Sequence, residues 1–240
     1  MWDNAPLLRS IANALFALSV LTVLYGVIYY AAHLPGLFPL RSVRLDASPQ
    51  RVAAATVLKV VQNEVHGNFF TVDIERMRQT LEKLPWVRSV SIRREFPSRL
   101  AVRLEEHQVL AHWNNKALVN QQGEIFTASV EQALPSFTGQ DGASAEVTQH
   151  YAEFNRQLAA LNLQVAQIDL SPRHAWQLRL SNGMVLELGH EDMQQRLAKF
   201  VAVYPNSLAS IQGQVKYVDL RYRNGFAVSG LTNIGLSKQS

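Results

Sequence analysis

Histidine and glutamate residues are the side chains of this 240-residue chain that could bind a metal ion or transfer protons. His107 and His112 are five positions apart, a spacing that places them on opposite faces of a strand. No carboxylate at metal-ligand spacing joins the other histidines. Glu105 and Glu106 are adjacent, so in a strand they point apart and cannot act together as general acid and general base. The sequence therefore predicts neither a metal site nor a catalytic pair of carboxylates.

Nucleophiles and cofactor-binding motifs are also absent from the sequence. With no cysteine, the chain cannot build a disulfide scaffold, a thiolate zinc site, an iron–sulfur cluster or a cysteine nucleophile. It has no Gly-x-Ser-x-Gly motif, and the segment Gly67-Asn68-Phe69 lacks the further glycine and the lysine of a phosphate-binding loop. We therefore predict that the protein is not an enzyme and uses no cofactor.

A long uncharged segment near the N-terminus predicts a membrane span. No Asp, Glu, Lys or Arg occurs between Ser10 and Leu40, and residues 11–32 are almost wholly apolar. As a helix this segment is about 33 Å long, enough to cross a hydrocarbon core of about 30 Å. It is too long for a core helix or a signal peptide, and Tyr30 blocks the most obvious cleavage site. We expect an uncleaved transmembrane helix at 11–32, preceded by a short tail at 1–10.

Charged residues leave the orientation of this helix open and divide the rest of the chain into blocks. Only Arg9 precedes the span, whereas several arginines follow it, which by the positive-inside rule opposes a cytoplasmic N-terminus. Basic residues are in excess over 41–103 and 193–240, and acidic residues over 104–192, within a net charge of +4. The change of sign near residue 104 indicates a domain boundary. The basic block beside the membrane lacks interleaved aromatic residues, so we expect a solvated face rather than a nucleic-acid or anionic-lipid site.

The segment after the span alternates between strand-like and helix-like apolar spacing. The expected elements, in order, are a strand at 43–46, a helix that Ser48 and Pro49 open, a helix that starts at Thr71 or Asp73 and stops at Pro85, and strands around 90–92 and 100–104. The pattern predicts a β-α-α-β-β module in which the last two strands pair antiparallel and pack on two helices.

The remainder of the chain is richer in strands. We expect a hairpin at 118–126, a loop at 134–145, a helix at 151–161, a strand at 165–170, a hairpin of 176–180 with 184–188, a helix at 193–204, and strands at 218–222 and 226–228. The Asn182-Gly183 pair between two alternating segments is a strong hairpin signal. Trp176 heads an alternating apolar pattern, so we expect it in the core. These patterns predict an α+β protein whose second part is a mixed β-sheet with flanking helices.

The strand at 218–222 is the best candidate for binding another chain. If it lies near the edge of the sheet, unpaired backbone groups can accept a strand from a partner. Asp219 and Arg221 would face outward, and Tyr222 offers rigid apolar area with a hydroxyl group. Arg221 or Arg173 could hold a partner's carboxylate with two hydrogen bonds. An ordinary core strand is the alternative interpretation.

Short motifs occur in a specific order along nearly the whole chain. In the first module they are Gly67-Asn68-Phe69-Phe70, Val72-Asp73, Leu84-Pro85-Trp86-Val87, Arg93-Arg94, Phe96-Pro97 and Glu106-His107. In the second part they are Leu118-Val119-Asn120, Trp176-Gln177-Leu178, Leu188-Gly189, Arg196-Leu197 and Val218-Asp219-Leu220-Arg221-Tyr222. In their order and spacing, the chain resembles the FtsQ/DivIB family of bacterial cell-division proteins.

The resemblance implies an architecture and a location. It implies a cytoplasmic tail at 1–10, a transmembrane helix at 11–32, a polypeptide-transport-associated (POTRA) domain at 38–107, a β domain at 108–232 and a C-terminal tail at 233–240. The expected location is the inner membrane, crossed once, with the N-terminus in the cytoplasm and both domains in the periplasm, enriched at the division septum. The resemblance thus favours the orientation that the charge rule opposes.

The resemblance also implies partners and binding residues. In the family the C-terminal strands of the β domain bind FtsB, which itself pairs with FtsL as a coiled coil. The matching positions here are Arg173, Arg221, Tyr222, Asn224 and Gly225. The POTRA domain is implicated in recruitment and in contacts with other division proteins, for which Phe69, Phe70, Arg93 and Arg94 are weaker candidates. The expected function is a non-enzymatic scaffold that links early and late division proteins and helps control septal peptidoglycan synthesis.

Two other functions compete with this expectation. A POTRA-containing component of protein transport or assembly would carry several POTRA repeats, and this sequence has no internal repeat. A membrane-anchored periplasmic enzyme acting on the cell wall would need a nucleophile, paired carboxylates or metal ligands that converge in a cleft. Neither alternative finds its required features in the sequence.

Overall fold

The computed structural model describes residues 5–34, 36–208, 215–222 and 225–230. The chain divides into two compact units, Met1–Glu106 and His107–Ser240. The predicted α+β architecture is confirmed: an apolar helix is followed by a β-α-α-β-β module and by a domain with a mixed β-sheet. The expected C-terminal tail at 233–240 lies outside the described residues.

Helix α1, Ala5–His33, is the predicted membrane-spanning segment. None of its residues is buried against protein. Within the described parts of the chain it is the one helix long and apolar enough to cross a membrane. The helix also includes residues 5–10, because Pro6 lies in the first turn, where proline is tolerated, and the exposed Arg9 does not interrupt a helix.

The rest of the first unit is a three-stranded sheet covered by two helices. Its elements are β1 (Ser42–Leu45), α2 (Ala54–Glu64), α3 (Ile74–Glu82), β2 (Val87–Glu95) and β3 (Arg99–Glu106). The sheet order is β1-β3-β2, with β1 parallel and β2 antiparallel to β3. Valines of α2, Met77 and Leu81 of α3, and Leu100 and Val102 of β3 form the core. Asp73 caps α3 by accepting a hydrogen bond from the backbone N–H of Arg76 at 2.9 Å, as one of the two predicted starts requires.

Helix α2 begins later than the sequence predicts. Ser48 and Pro49 do not open it; Ala53 is its N-terminal flanking residue. The backbone N–H groups of residues 50–52 instead donate to the carboxylate of Glu106, each at 2.9 Å. A side chain at the end of β3 therefore satisfies donors that a helix would have left unpaired, and it holds this segment in an irregular turn.

We expect Glu106→Gln to lower the stability of this turn by about 1–2 kcal/mol, because hydrogen bonds to a charged acceptor are stronger than those to an amide. Burial raises the pKa of Glu106, but the three backbone donors outweigh it and hold the pKa below its ordinary 4.5. The stabilisation is therefore present above about pH 4.5 and is lost as the pH falls through the depressed pKa. Hydrogen exchange of the peptide over 48–60, read at pH 7 and at successively lower pH below 4.5, measures the effect.

Glu105→Gln is the matched control for this substitution. The Glu105 carboxylate pairs with Arg88 at 2.6 Å, and the Glu105 side chain is more than half exposed. Such surface pairs contribute about 0–1 kcal/mol, so exchange over 48–60 is expected to stay as in the parent chain. Equal protection of the 48–60 peptide in Glu106→Gln and the parent would contradict the anchoring role of Glu106.

The second unit is built on a nine-stranded sheet. Its elements are β4 (Val109–Trp113), β5 (Ala117–Asn120), β6 (Ile125–Phe126), β7 (Ser136–Thr138), α4 (Ser144–Leu158) with a 3-10 turn at Ala159–Leu161, β8 (Val165–Leu170), β9 (Trp176–Leu180), β10 (Val185–Gly189), α5 (Met193–Ser207), β11 (Tyr217–Asp219) and β12 (Ala227–Ser229). The strand order is β12-β11-β10-β9-β8-β7-β4-β5-β6. Trp176 is 1% exposed and packs in the core with Phe137, Phe154 and Phe200, as predicted.

Two strands of this sheet differ from the sequence prediction. The segment 134–145, predicted as a loop, contains β7, and β4 was not predicted. Strand β7 is parallel to both of its neighbours, β4 and β8, and its central residue Phe137 is completely buried. Three residues are too few to show an alternating pattern, and the flanking Pro135 and Gly139 have the composition of a loop.

Candidate partner-binding site

Strand β12 ends the nine-stranded sheet on the C-terminal side. It pairs antiparallel with β11, with Val228 opposite Val218, and β11 in turn runs parallel to β10. No strand among the described residues pairs with the outer side of β12. The strand predicted at 218–222 is therefore next to the edge, and the returning strand forms the edge itself. An open edge of this kind can accept a strand from another chain.

A groove lies between helix α5 and the strands that end the sheet. From α5 it is lined by Arg196, Lys199, Phe200 and Val203, whose spacing of three, one and three places them along one face. Leu220 and Tyr222, which follow β11, and Gly225 and Phe226, which precede β12, line its other side. We call these eight residues the α5–β12 groove. Its volume is about 320 Å³, enough for a few side chains of a partner.

Apolar side chains in the α5–β12 groove remain open to solvent. Tyr222 is 60% exposed and Val203 is 43% exposed, whereas Phe200 is completely buried below them. The ring centroid of Phe226 lies 6.5 Å from that of Phe200, edge to face. The groove therefore has a buried aromatic floor and exposed apolar walls, an arrangement that suits the anchor residues of a partner.

The charged groups of the α5–β12 groove are basic. The Arg196 guanidinium donates to the carbonyl oxygen of Leu188 at 2.6 Å, which fixes it over the end of β10. Gly189 is required there: its φ is +74°, and a Cβ atom would lie 2.8 Å from Arg196 and 3.1 Å from Arg221. Lys199 is exposed on the same face of α5. Acidic side chains of a partner would be complementary to this groove.

Arg221 differs from its predicted role because Asp219 already occupies its guanidinium. Its Nε and terminal nitrogen donate to the two carboxylate oxygens of Asp219 at 2.9 and 2.7 Å. Asp219 is 7% exposed rather than facing outward as expected. The bond from Arg221 lowers the pKa of Asp219, against the opposing effect of burial. Arg221 therefore braces the end of β11, and a bidentate clamp on a partner would first require this pair to open.

Arg173 remains available for a partner's carboxylate. It is exposed in the turn between β8 and β9, and no ion-pair or hydrogen-bond partner of its side chain is found in the described ranges. The next strand residue, Trp176, is opposite Gly189 at the end of β10. Arg173 thus lies at the same end of the sheet as Arg221 and Tyr222. Of the remaining predicted residues, Gly225 lines the groove, and Asn224 lies outside the described residues.

Of the four candidate residues of the first unit, Phe69 is buried and the others are exposed. Phe69 is 5% exposed, and Arg94 donates to the carbonyl oxygens of Phe69 and Val72 at 2.8 and 2.9 Å. Phe70 is 48% exposed. Arg93 is exposed and lies 3.5 Å from Asp46. Phe69 and Arg94 therefore support the fold locally, while Phe70 and Arg93 are accessible to a partner.

Groups that could do chemistry do not converge among the described residues, where no cluster of three or more His, Cys, Asp or Glu side chains could hold a metal ion. The ring of His107 stacks on Phe126 with centroids 4.1 Å apart. One of its ring nitrogens is 2.9 Å from the amide nitrogen of Asn120. Glu105 and Glu106 have separate partners on different segments, as their alternation predicts.

Sequence reasoning missed the α5 side of the groove. Val203, Lys199 and Phe226 were not singled out, and Phe200 was assigned only to the core. One signal was present: Val203 is apolar but does not belong to the stripe of Met193, Leu197, Phe200 and Tyr204 that faces the core. An apolar residue outside the core stripe of an amphipathic helix indicates a second, exposed contact face.

The apolar helix, the β-α-α-β-β module and the mixed-sheet domain give the architecture of a POTRA protein with one candidate membrane span. The family model "POTRA domain, FtsQ-type" matches residues 38–107, and "Cell division protein FtsQ/DivIB, C-terminal" matches residues 111–221. The chain belongs to the FtsQ/DivIB family of cell division proteins.

Relatives named "Cell division protein FtsQ" are similar over nearly their whole length. The protein of Nitrosospira multiformis is 43% identical over 235 residues, which cover 96% of this chain and 99% of the relative. That of Burkholderia pseudomallei is 40% identical over 95% of this chain and 94% of its own. That of Bordetella pertussis is 35% identical over 95% of this chain and 93% of its own. The protein is therefore a cell division protein, and its apolar helix fits a single-pass membrane protein.

Proposed function

We propose that this cell division protein is a non-enzymatic scaffold that binds FtsB through strand β12 and the α5–β12 groove, and FtsL through FtsB. One observation carries the proposal: among the described residues, the outer side of β12 is unpaired, and this edge of the sheet lies beside an apolar groove with basic side chains. Backbone pairing along β12 would supply affinity, and side chains in the groove would supply register and specificity.

The chemistry of the groove specifies the partner segment. An extended segment of FtsB would add a strand to β12, and apolar side chains next to it would cover Tyr222, Val203 and Phe226. Acidic side chains of the same segment would lie near Lys199 and Arg173, which are exposed.

The proposal includes a location and a role. We propose that α1 crosses the inner membrane with its N-terminus in the cytoplasm, so that both units act in the periplasm at the division septum. The protein would there link early and late division proteins and help control septal peptidoglycan synthesis. Family membership supports this orientation, whereas the distribution of arginines around α1 opposes it. Contacts of the first unit with other division proteins would use the exposed Arg93 on β2.

The combined substitution Tyr222→Ala and Arg173→Glu tests the binding site. It removes an exposed aromatic side chain and reverses a charge at the same end of the sheet, so we expect FtsB to bind about 10- to 30-fold more weakly. Neither side chain is part of the core, so the protein should stay folded. Calorimetric titration of the full chain in detergent with the FtsB–FtsL pair gives the affinity.

Arg179→Glu is the matched charge control. Arg179 is an exposed arginine near the other end of β9, away from the turn that carries Arg173. We expect this variant to bind FtsB as the parent chain does. If the double variant is folded and its affinity is also unchanged, this end of the sheet is not the binding site and the proposal fails.

A further inference from the structure

Four phenylalanine side chains form a continuous patch on the first unit. Phe38, Phe70 and Phe96 are 41%, 48% and 73% exposed, and the buried Phe69 joins them. Ring centroids are 5.1 Å apart for Phe38 and Phe70, 5.2 Å for Phe70 and Phe69, and 6.1 Å for Phe69 and Phe96. We call these residues the phenylalanine patch. Phe38 and Phe70 contact each other, and Phe96 joins them through Phe69. The three exposed rings form an apolar surface that water solvates poorly.

The phenylalanine patch is bonded directly to the end of helix α1. Asn68 is completely buried, and its side-chain amide donates to the carbonyl oxygens of Ala32 and Leu34 at 2.7 and 3.1 Å. The last carbonyl groups of a helix lack donors within the helix. The Asn68 side chain donates to the carbonyl of Ala32, and also to that of Leu34 just beyond the helix. The backbone N–H of Phe69 also donates to the carbonyl oxygen of Phe38 at 2.9 Å. The patch therefore lies beside the point where the membrane-spanning helix ends.

Hydrogen bonds hold the loop of the patch in a fixed shape. The side-chain oxygen of Asn68 accepts from the backbone N–H groups of Phe70 and Thr71 at 2.9 and 3.0 Å. Arg94 holds the carbonyl oxygens of Phe69 and Val72 from the neighbouring strand. A surface that is already ordered loses little entropy when it is covered.

We propose that the phenylalanine patch inserts into the boundary between headgroups and acyl chains of the bilayer that α1 crosses. Lipid is the expected partner because the patch is hydrogen-bonded to the end of the membrane-spanning helix. The end of such a helix lies at the headgroup level, where aromatic rings are favoured. Two exposed arginines flank the turn that carries Phe96. Arg99 follows this turn in the sequence, and the backbone N–H of Arg41 donates to the carbonyl oxygen of Ser98 at 2.9 Å. These cations would meet anionic headgroups, which differs from the solvated face that the sequence predicts for this basic block.

This second membrane contact fixes how the first unit is held on the bilayer. A single helix allows the attached unit to rotate and tilt, whereas a helix with an adjacent inserted patch defines one orientation. The contact requires only lipid, so it is independent of FtsB binding and of the side of the membrane on which the unit lies. Loss of FtsB affinity in the groove variants and loss of lipid contact here are separate measurements.

The absence of cysteine allows a direct test with single spin labels. A label at Phe96→Cys reports on the patch. A label at the exposed Lys83→Cys, at the end of α3, reports on the segment before β2, a strand whose nine residues span about 30 Å. The full chain is placed in vesicles of phosphatidylethanolamine and phosphatidylglycerol. We expect the ratio of oxygen to water-soluble nickel collisions to be at least about tenfold higher for the Phe96 label.

A second variant separates insertion from local shielding by protein. Phe38→Ser and Phe70→Ser, introduced with Phe96→Cys, remove exposed rings and leave buried Phe69 and Asn68 in place. We expect the collision ratio of the label to fall toward that of the Lys83 label. Equal ratios for the two labels in pure lipid would overturn the proposal. So would a Phe96 label that is shielded only after other division proteins are added, since the patch would then be a protein-docking surface.

Discussion

We expect Gly123→Ala to lower the free energy of unfolding of the second unit by about 2–5 kcal/mol. Two costs add. The φ angle of Gly123 is +81°, a conformation that an L-residue with a side chain adopts at a cost of about 1–2 kcal/mol. A Cβ atom would also overlap the Cα atom of Ala145 and lie 3.0 Å from its nitrogen. Backbone atoms in a helix cannot move aside as a flexible side chain can, so the turn or the helix must shift.

The contact at Gly123 joins the β5–β6 turn to the start of α4. The buried hydroxyl of Ser144 donates to the carbonyl oxygen of Gly123 at 2.6 Å, and Asn120 accepts bonds from the backbone of the same turn. A displaced turn would stretch these hydrogen bonds within a buried region. Urea unfolding of the full chain in detergent, followed by hydrogen exchange of peptides from β5 and α4, measures the loss.

Gly183→Ala is the matched control for the Gly123 prediction. Gly183 forms the turn between β9 and β10 with φ at +86°, and no atom lies within 4 Å of the position that its Cβ would take. Its substitution carries the conformational cost alone, about 1–2 kcal/mol. The difference between the variants isolates the clash with Ala145. Equal losses for the two glycines would show that the close approach of turn and helix contributes nothing.

Local periodicity was sufficient to predict the first unit, apart from one helix start. The stripes of α2 and α3 and the alternation of β2 and β3 are each visible within about ten residues. The start of α2 is not, because the group that competes with a helical turn at 50–52 is Glu106, more than 50 residues away in sequence. Ser48 and Pro49 have the right types for a helix start, and a distant carboxylate overrides them.

The sheet of the second unit was harder to predict because its neighbours are not sequential. Strand β7 lies between β4 and β8, and β11 is parallel to β10 after the intervening helix α5. Strand β7 has three residues, too few for an alternating pattern, so its sequence predicts a loop. The strong hairpin signal at Asn182-Gly183, in contrast, was correct for β9 and β10.

Residue type alone predicted the candidate site incompletely, because types do not specify exposure. Tyr222 is exposed as a binding residue should be, but Arg221 is engaged by Asp219. The neighbours Phe69 and Phe70 have the same type and opposite exposure, because one fills the space beneath the loop and the other faces solvent. Val203 was missed because a single apolar residue beside a core stripe has no distinctive pattern.

We expect Val203→Asp to weaken the proposed binding of FtsB by about 2–4 kcal/mol, or roughly 30- to 1,000-fold in Kd. Val203 is 43% exposed in the free protein, so the new carboxylate stays hydrated there and the fold is kept. A bound partner would remove water from the α5–β12 groove and leave a charge without solvation. Lys199, one turn earlier on α5, could offset only a few tenths of a kcal/mol.

Ala198→Asp separates this effect from a general effect of charge on α5. Ala198 is exposed, and its position in the helix places it on the side opposite the groove. The Ala198→Asp variant adds the same charge to the same helix. Because the new carboxylate lies away from the groove, the affinity of this variant for FtsB should match that of the parent chain. Val203→Thr, which keeps the shape and adds no charge, should lose only about fivefold. Titration of the three variants with the FtsB–FtsL pair gives the ranking, and unchanged affinity in a folded Val203→Asp protein would exclude the groove from the interface.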